Sequence, residues 1–357
     1  MKVLFVIDSL QGGGAARVTT ILANQLIKNN YDVTIATNLA YRSVLYEVND
    51  AVRLVSFYTE ADQRNSSVYK IVRHAFFLRR IFKEEKPNII IGEQEGGILY
   101  SYLAKMFLNI PMIGHRHNTF KILGLSAAYR LIYKMPNKTV LLHNVDVKFV
   151  EGKIKNVVAI YNPHTFQVTE GAIERKKQVI CVGSINRWYN KGLDTMIRMW
   201  GDIAQKHKGW KLLIVGGGNE SSTQKLIALT NKMGCSDSVV FTGAVNNVDA
   251  LLQESAIFAL PSRVEGFPMV LNEAISQGCT SIAFCLGGVL NEIYTDKSVC
   301  QIPDGNTELF KGQLELLMDN EILRKGYSDA ARIETMKYLP ERIVKDWISI
   351  INEVAEN

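Results

Sequence analysis

No stretch of this 357-residue sequence approaches the roughly 18 consecutive apolar residues of a membrane-spanning helix, so a spanning segment is not expected. The opening run Lys2-Val3-Leu4-Phe5-Val6-Ile7-Asp8 is too short, and turns acidic too soon, for a secretory leader. Cysteine is scarce and badly placed for chemistry. Cys181, Cys235, Cys279, Cys285 and Cys300 all lie in the second half and form no C-x-x-C pair. That excludes a zinc knuckle and a thiol redox motif. An odd number of thiols without a leader suits a reducing cytoplasm, which is the expected location.

What is present describes a soluble globular protein. Apolar residues make up 47% and charged residues 21%, a composition that excludes disordered and fibrous classes. The length suits two domains of ordinary size. The net charge of +6 is unevenly divided: residues 1–170 carry 21 Lys/Arg against 13 Asp/Glu, and the remainder 20 against 22. The positive field therefore belongs to the first half, which is the candidate for meeting an anionic partner.

Short β-branched runs alternate with helical periodicity, the pattern of parallel sheets with helical crossovers. In the first half, strands are expected at 3–7, 33–36, 88–91, 112–114, 139–142 and 157–160, with a helix over 15–29. Tyr161-Asn162-Pro163-His164 breaks the rhythm, because Pro163 continues neither a ladder nor a helix. A second series follows, with strands at 179–182, 211–215, 239–241, 257–260 and 281–283 and helices at 193–206, 224–233, 248–254 and 270–277. The fold class expected is α/β, two Rossmann-like domains with parallel sheets facing across a cleft. The first domain is placed at 1–165 and the second at 166–340, with a linker near 161–177. A last helix at about 341–357 packs back on the first domain or stays with the second. In such sheets ligands bind at the carboxyl ends of the strands.

Four motifs fall at those ends. Gly12-Gly13-Gly14-Ala15-Ala16 lies between the first strand and the first helix, where glycine lets backbone approach a ligand and a helix N-terminus offers free amides to an anion. It departs from G-x-G-x-x-G at Arg17, and no acidic residue ends the second strand, which disfavours a nicotinamide oxidoreductase. In the loop Gly183–Gly192, Arg187 and Lys191 lie four apart and can neutralise a diphosphate, or stand as two solvated cations. In Pro261–Ala274, Glu265 and Glu273 lie eight apart around Gly266-Phe267-Pro268, with a helix beginning near Pro268 and Glu273 about two turns along it. A carboxylate there can accept from both hydroxyls of a ribose. Ile113–Phe120 holds His115-Arg116-His117-Asn118 at a strand end. A metal held by this histidine pair is not expected, since no third ligand is evident nearby. Gly216-Gly217-Gly218 is a further glycine turn, either beside a nucleotide or a plain connection.

Taken together, these residues resemble the retaining glycosyltransferases of family 4, which have the GT-B fold, and the resemblance covers nearly the whole chain. It implies the following roles. Glu265 lies by the donor sugar, with the amides of Gly266 and Phe267 on sugar and phosphate. Glu273 holds the ribose hydroxyls, Arg187 and Lys191 hold the diphosphate, and Gly13 and Gly14 close over it. His117 lies near the reacting carbon, with His115 the competing assignment. Ala16 stands where many relatives have glutamate, and the histidine segment departs from the commonest form, which bears on acceptor choice. No D-x-D triplet is present, in keeping with a fold that works without a metal; no cofactor is expected beyond the nucleotide-sugar donor, a UDP-sugar by family frequency. The implied reaction is transfer with retention to a saccharide or lipid-linked saccharide in surface polysaccharide biosynthesis. Residues 64–86 mix Arg64, Lys70, Arg73, Arg79, Arg80, Lys83 and Lys86 with Tyr69, Phe76, Phe77 and Phe82. They read either as an amphipathic helix on an anionic membrane or as a crossover helix packed on the sheet. Nucleic acid is not an expected partner. The rival readings are a sugar-nucleotide epimerase of the same fold and a non-catalytic nucleotide-sugar-binding protein.

Overall fold

The computed structural model describes residues 1–39, 46–58, 67–120, 124–169 and 174–356. The chain divides into two compact units: Met1–Pro163 with Tyr338–Asn357, and His164–Lys337. The first unit holds strands β1 (Lys2–Val6), β2 (Asp32–Thr37), β3 (Arg53–Ser56), β4 (Ile89–Glu93), β5 (Met112–His115), β6 (Lys138–Leu141) and β7 (Val157–Ala159). The second holds β8 (Lys176–Val182), β9 (Lys211–Val215), β10 (Val239–Gly243), β11 (Ser255–Leu260), β12 (Thr280–Phe284) and β13 (Cys300–Ile302).

The sheet orders are β3-β2-β1-β4-β5-β6-β7 and β10-β9-β8-β11-β12-β13, and every pairing is parallel. Both are doubly wound, as the alternating pattern implies. Their strands are near-continuous apolar runs because helices cover both faces: β4 and β11 are buried at every residue. In each sheet the direction of winding reverses between the first and fourth strands of the unit, β1 and β4 or β8 and β11. That reversal opens a crevice at the carboxyl ends where a ligand fits.

Helix Leu193–Lys206 shows how the second core is made. Leu193, Met196, Ile197, Trp200 and Ile203 are all buried on its sheet-facing side, and each apolar side chain so removed from water contributes about 1.5–3 kcal/mol. The indole of Trp200 donates to Ser238 Oγ at 3.0 Å, so its polar edge is satisfied.

The last helix, Pro340–Glu356, packs on the first unit. Trp347 is buried with its ring 4.8 Å from that of His115, Tyr31 donates to Asn352 at 2.9 Å, and Gln25 to Glu341 at 3.2 Å. The stretch read as a linker is attached where it is described: Thr169 Oγ1 donates to Gln277 at 2.6 Å, and Gln277 donates to the Gln167 carbonyl at 2.8 Å.

Candidate active site

In the second unit, loops leave the carboxyl ends of β8, β9 and β11 and pack on one another. After β8 the chain makes one tight turn at Ile185–Arg187 and enters its helix through Gly192, in the left-handed region at φ +64°. A Cβ at Gly192 would stand 1.8 Å from the Pro261 carbonyl oxygen, so the loop after β8 rests directly on the loop after β11. Arg263 fastens the same contact, its two terminal nitrogens donating to both Asp194 oxygens at 2.7 and 2.9 Å. The glycine turn after β9 has a structural reason of its own. A Cβ at Gly216 would stand 2.0 Å from the Gly183 carbonyl oxygen, and one at Gly218 2.6 Å from Ile185 Cβ.

This packing brings together residues the sequence had singled out separately. Lys191 Nζ lies 2.7 Å from Glu265 Oε1, and Ser262 Oγ donates to the same oxygen at 2.7 Å. Lys191 and Glu265 had been given separate ligands, phosphate and sugar; in the structure they form one half-buried ion pair. Its effect is to hold the ammonium in place before any anion arrives, so less side-chain entropy is lost on binding. Arg187, which closes the turn Ile185–Arg187 in the same loop, is exposed. Glu273 is buried, not an exposed helix carboxylate, and its Oε1 accepts from Thr165 Oγ1 at 2.7 Å. It stands one turn into its helix, not two, because Gly266–Pro268 is non-helical and the helix spans only Met269–Ser276. Phe267 is buried beside half-buried Gly266. A buried carboxylate, a fixed ammonium and an exposed guanidinium at one sheet edge are the parts needed to hold a ribose and a diphosphate.

In the first unit, Gly12–Gly14 forms an exposed turn, with Gly13 at φ +88° capping helix Gly14–Lys28. The parallel register sets Glu93, at the end of β4, beside His115 at the end of β5. Side chains alternate along the extended chain, so His115 and His117 share a side and Arg116 takes the other. Glu93 Oε2 lies 2.6 Å from His117 Nε2 and 2.9 Å from His115 Nδ1. Burial alone raises the Glu93 carboxyl, but the charge and hydrogen bonds of the two histidines outweigh it and hold it at about 2. His115 is fully buried, and that burial lowers its pKa, favouring a neutral ring.

The reason given against a metal at the histidine pair needs correction. A third potential metal ligand does exist beside the histidine pair. Glu93, His115 and His117 offer ligand atoms within 4.8 Å of one another, a nitrogen–carboxylate set that suits a borderline divalent ion; the 2.6 Å separation is that of a hydrogen bond. Arg116, moreover, faces the interior of its unit rather than a ligand crevice. It pairs with Glu95, donates to the Asn118 carbonyl at 2.9 Å and lies 3.7 Å from the centre of the Phe120 ring.

Sequence reading missed Glu93, Thr165, Ser262 and Asp8. The signal for Glu93 was visible, since an acidic residue directly ends the apolar run Ile89-Ile90-Ile91-Gly92. Asp8, just past β1, accepts from the Tyr58 hydroxyl at 3.1 Å, and burial raises its pKa. Arg64, the first cation of the basic stretch, lies outside the described residues.

Two family models match the chain and together take in most of it: Glycosyltransferase Family 4 over residues 12–147 and Glycosyl transferases group 1 over residues 165–334. The chain belongs to glycosyltransferase family 4. Among similar proteins is the amylovoran biosynthesis glycosyltransferase AmsD of Erwinia amylovora, 29% identical over 98% of this chain and 99% of that protein. An α-1,4-N-acetyl-D-galactosaminyltransferase of Campylobacter jejuni, named for a diphospho-undecaprenol-linked saccharide, is 25% identical over 99% of both chains. Among solved structures, the sucrose-phosphate synthase of Thermosynechococcus elongatus matches with TM-score 0.84 and 13% identity over 99% of this chain and 98% of that one. Anabaena HepE, solved with UDP and glucose, matches with TM-score 0.78 and 14% identity over 99% of this chain and 100% of that one. These similarities show the GT-B fold, and this family 4 glycosyltransferase has its two Rossmann-like domains.

Proposed function

We propose that this glycosyltransferase moves a hexose-type sugar from a UDP-sugar to a saccharide or lipid-linked saccharide, with retention, in surface polysaccharide biosynthesis. The observation that carries the donor half is buried Glu273, one turn into its helix and bonded to Thr165, at the same sheet edge as the Lys191–Glu265 pair. Glu273 takes the ribose hydroxyls. Lys191 and Arg187 neutralise the charge that grows on the departing diphosphate, worth about 10²–10³ in rate for one well-placed donor. Glu265, with Gly266 and Phe267, faces the donor sugar. In the first unit, Gly13 and Gly14 present backbone to the phosphates and His117 bonds a sugar hydroxyl. Transfer needs no metal in this reading, because Arg187 and Lys191 supply the positive charge. The names of the amylovoran and undecaprenol-linked relatives support the acceptor class, and the UDP in HepE supports the base.

The acceptor half draws on helix Ser67–Glu85. Its buried residues include Leu78, Ile81 and Phe82, as a crossover helix requires, yet Tyr69, Val72 and Phe76 stand exposed in line with Arg80 and Lys83. Apolar tips followed by cations suit an anionic lipid surface carrying the acceptor.

The test is a panel of UDP-sugars with undecaprenyl-diphosphate-linked saccharides, the product's anomeric configuration being read by NMR. The expected product keeps the donor's configuration. An inverted product removes retention, and conversion of the donor without acceptor favours an epimerase.

A further inference from the structure

Glu93 sits at the carboxyl end of β4 with its side chain withdrawn from solvent, and one of its oxygens meets two imidazoles. The shorter contact, 2.6 Å to His117 Nε2, requires a proton between the two atoms. An imidazole nitrogen is ordinarily more basic than a carboxylate oxygen, which assigns that proton to the nitrogen. His117 Nδ1, the ring's other nitrogen, is buried and has no hydrogen-bond partner among the described residues. A buried polar atom without a partner is costly, and natural proteins rarely leave one unless a water or a ligand completes it. Which ring nitrogen holds the proton is set by the bond the other makes.

We propose that Glu93 is the positioning residue for His117: by accepting Nε2–H it fixes the ring and its tautomer, so that Nδ1 keeps a lone pair for a hydroxyl of the sugar substrate. This rests on the reading of His117 as a substrate-contacting residue of a glycosyltransferase. His115 is the clamp's other flank. Its ring lies 4.0 Å from that of His117 and is backed by Trp347, so the carboxylate cannot turn away without disturbing packed groups. Arg116 lies between the two histidines in sequence, and Glu95 follows Glu93 by two residues. Arg116 and Glu95 pair with each other, leaving the Glu93 carboxylate to the two histidines. The arrangement has the logic of a carboxylate orienting an imidazole in hydrolases, where an amide in place of the carboxylate leaves the geometry but selects the wrong tautomer.

The experiment compares wild type, Glu93→Gln, Glu93→Asp, His117→Ala and the Glu93→Gln/His117→Ala double variant in three readouts. In ¹⁵N NMR of the folded protein, His117 is expected as the Nε2–H tautomer in wild type and as a mixture or the Nδ1–H form in Glu93→Gln. In transfer assays Glu93→Gln is expected to lose about 10²-fold in kcat with KM for the donor little changed, and Glu93→Asp to recover part of that loss. The double variant should be no slower than His117→Ala, because the two act as one unit. UDP binding should survive in every variant. A Glu93→Gln enzyme with unaltered tautomer, with kcat near wild type, or with a loss that adds to that of His117→Ala would overturn the clamp. Should wild type transfer no sugar to any acceptor, the functional reading fails instead, while the NMR comparison still decides the clamp.

Discussion

A single methyl group is expected to disrupt the donor site at Gly192. The residue has a left-handed backbone, and its added Cβ would overlap the Pro261 carbonyl oxygen at 1.8 Å. Gly192→Ala should cost about 3 kcal/mol, read as a lowered Tm, and should weaken diphosphate binding because the loops after β8 and β11 lose their register. Lys191→Ala should keep the fold yet lower turnover by about 10²–10³-fold, since Glu265 retains only Ser262 among the two partners seen here. At Glu93 the sign of the pH effect follows from a folded pKa of about 2 set below the ordinary 4.5. A depressed carboxyl contributes stability above its unfolded pKa and loses it as pH falls through the folded one. Wild type should therefore lose stability between about pH 4.5 and 2, and Glu93→Gln, weaker at neutral pH, should lose less over that window in acid melts. Residue types were legible in the sequence; their pairings were not. Lys191 and Glu265 lie 74 positions apart, and only the register of two strands makes them neighbours. Arg116 was not separable from its neighbours by sequence alone: strand alternation turns it away from the two histidines and into the aromatic cluster of Phe120 and Tyr133.

Elements with strong periodicity could be read closely. Helices Leu193–Lys206 and Val248–Glu254 stand where the sequence places them, because an apolar stripe and clear breaks bound them. Helix Glu220–Lys232 starts four residues earlier than expected: Asn219 caps it, its side chain accepting from the Ser222 amide. β3 and β13 were not foreseen. They are edge strands of four and three residues, and neither is a continuous apolar run: Arg53 opens β3 and Gln301 interrupts β13. The helix Pro340–Glu356 was legible as a helix, but its partner was not, since any apolar face fits many surfaces. Buried Trp347 is one anchor of its hold on the first unit. Trp347→Ala should cost about 3–5 kcal/mol and should also loosen His115, visible as a lowered Tm and a shifted His115 resonance.

For the whole molecule, the sequence pattern led to two parallel doubly wound sheets, and both are present in the order that puts a crevice between their first and fourth strands. Charge and exposed apolar residues add a second testable property. Among the described residues no helix is long and apolar enough to cross a membrane, but Tyr69, Val72 and Phe76 are exposed on the helix that also exposes Arg80 and Lys83. Sedimentation with phosphatidylglycerol vesicles at low salt should bring down the wild type, and Phe76→Ser with Arg80→Glu should release it. Wild type remaining in the supernatant would end the membrane reading without touching the donor site.

The central claim is that the carboxyl edge of the second sheet holds a nucleoside diphosphate through Glu273. It is tested most directly by thermal shift with UDP, ADP, GDP, CDP and TDP on wild type and Glu273→Ala. The expected result is a rise in wild-type Tm with UDP, corresponding to about 2.7 kcal/mol at a hundredfold excess over Kd, greatly reduced in the variant. A wild type unmoved by every diphosphate, or a Glu273→Ala protein stabilised as much as wild type, would contradict the account.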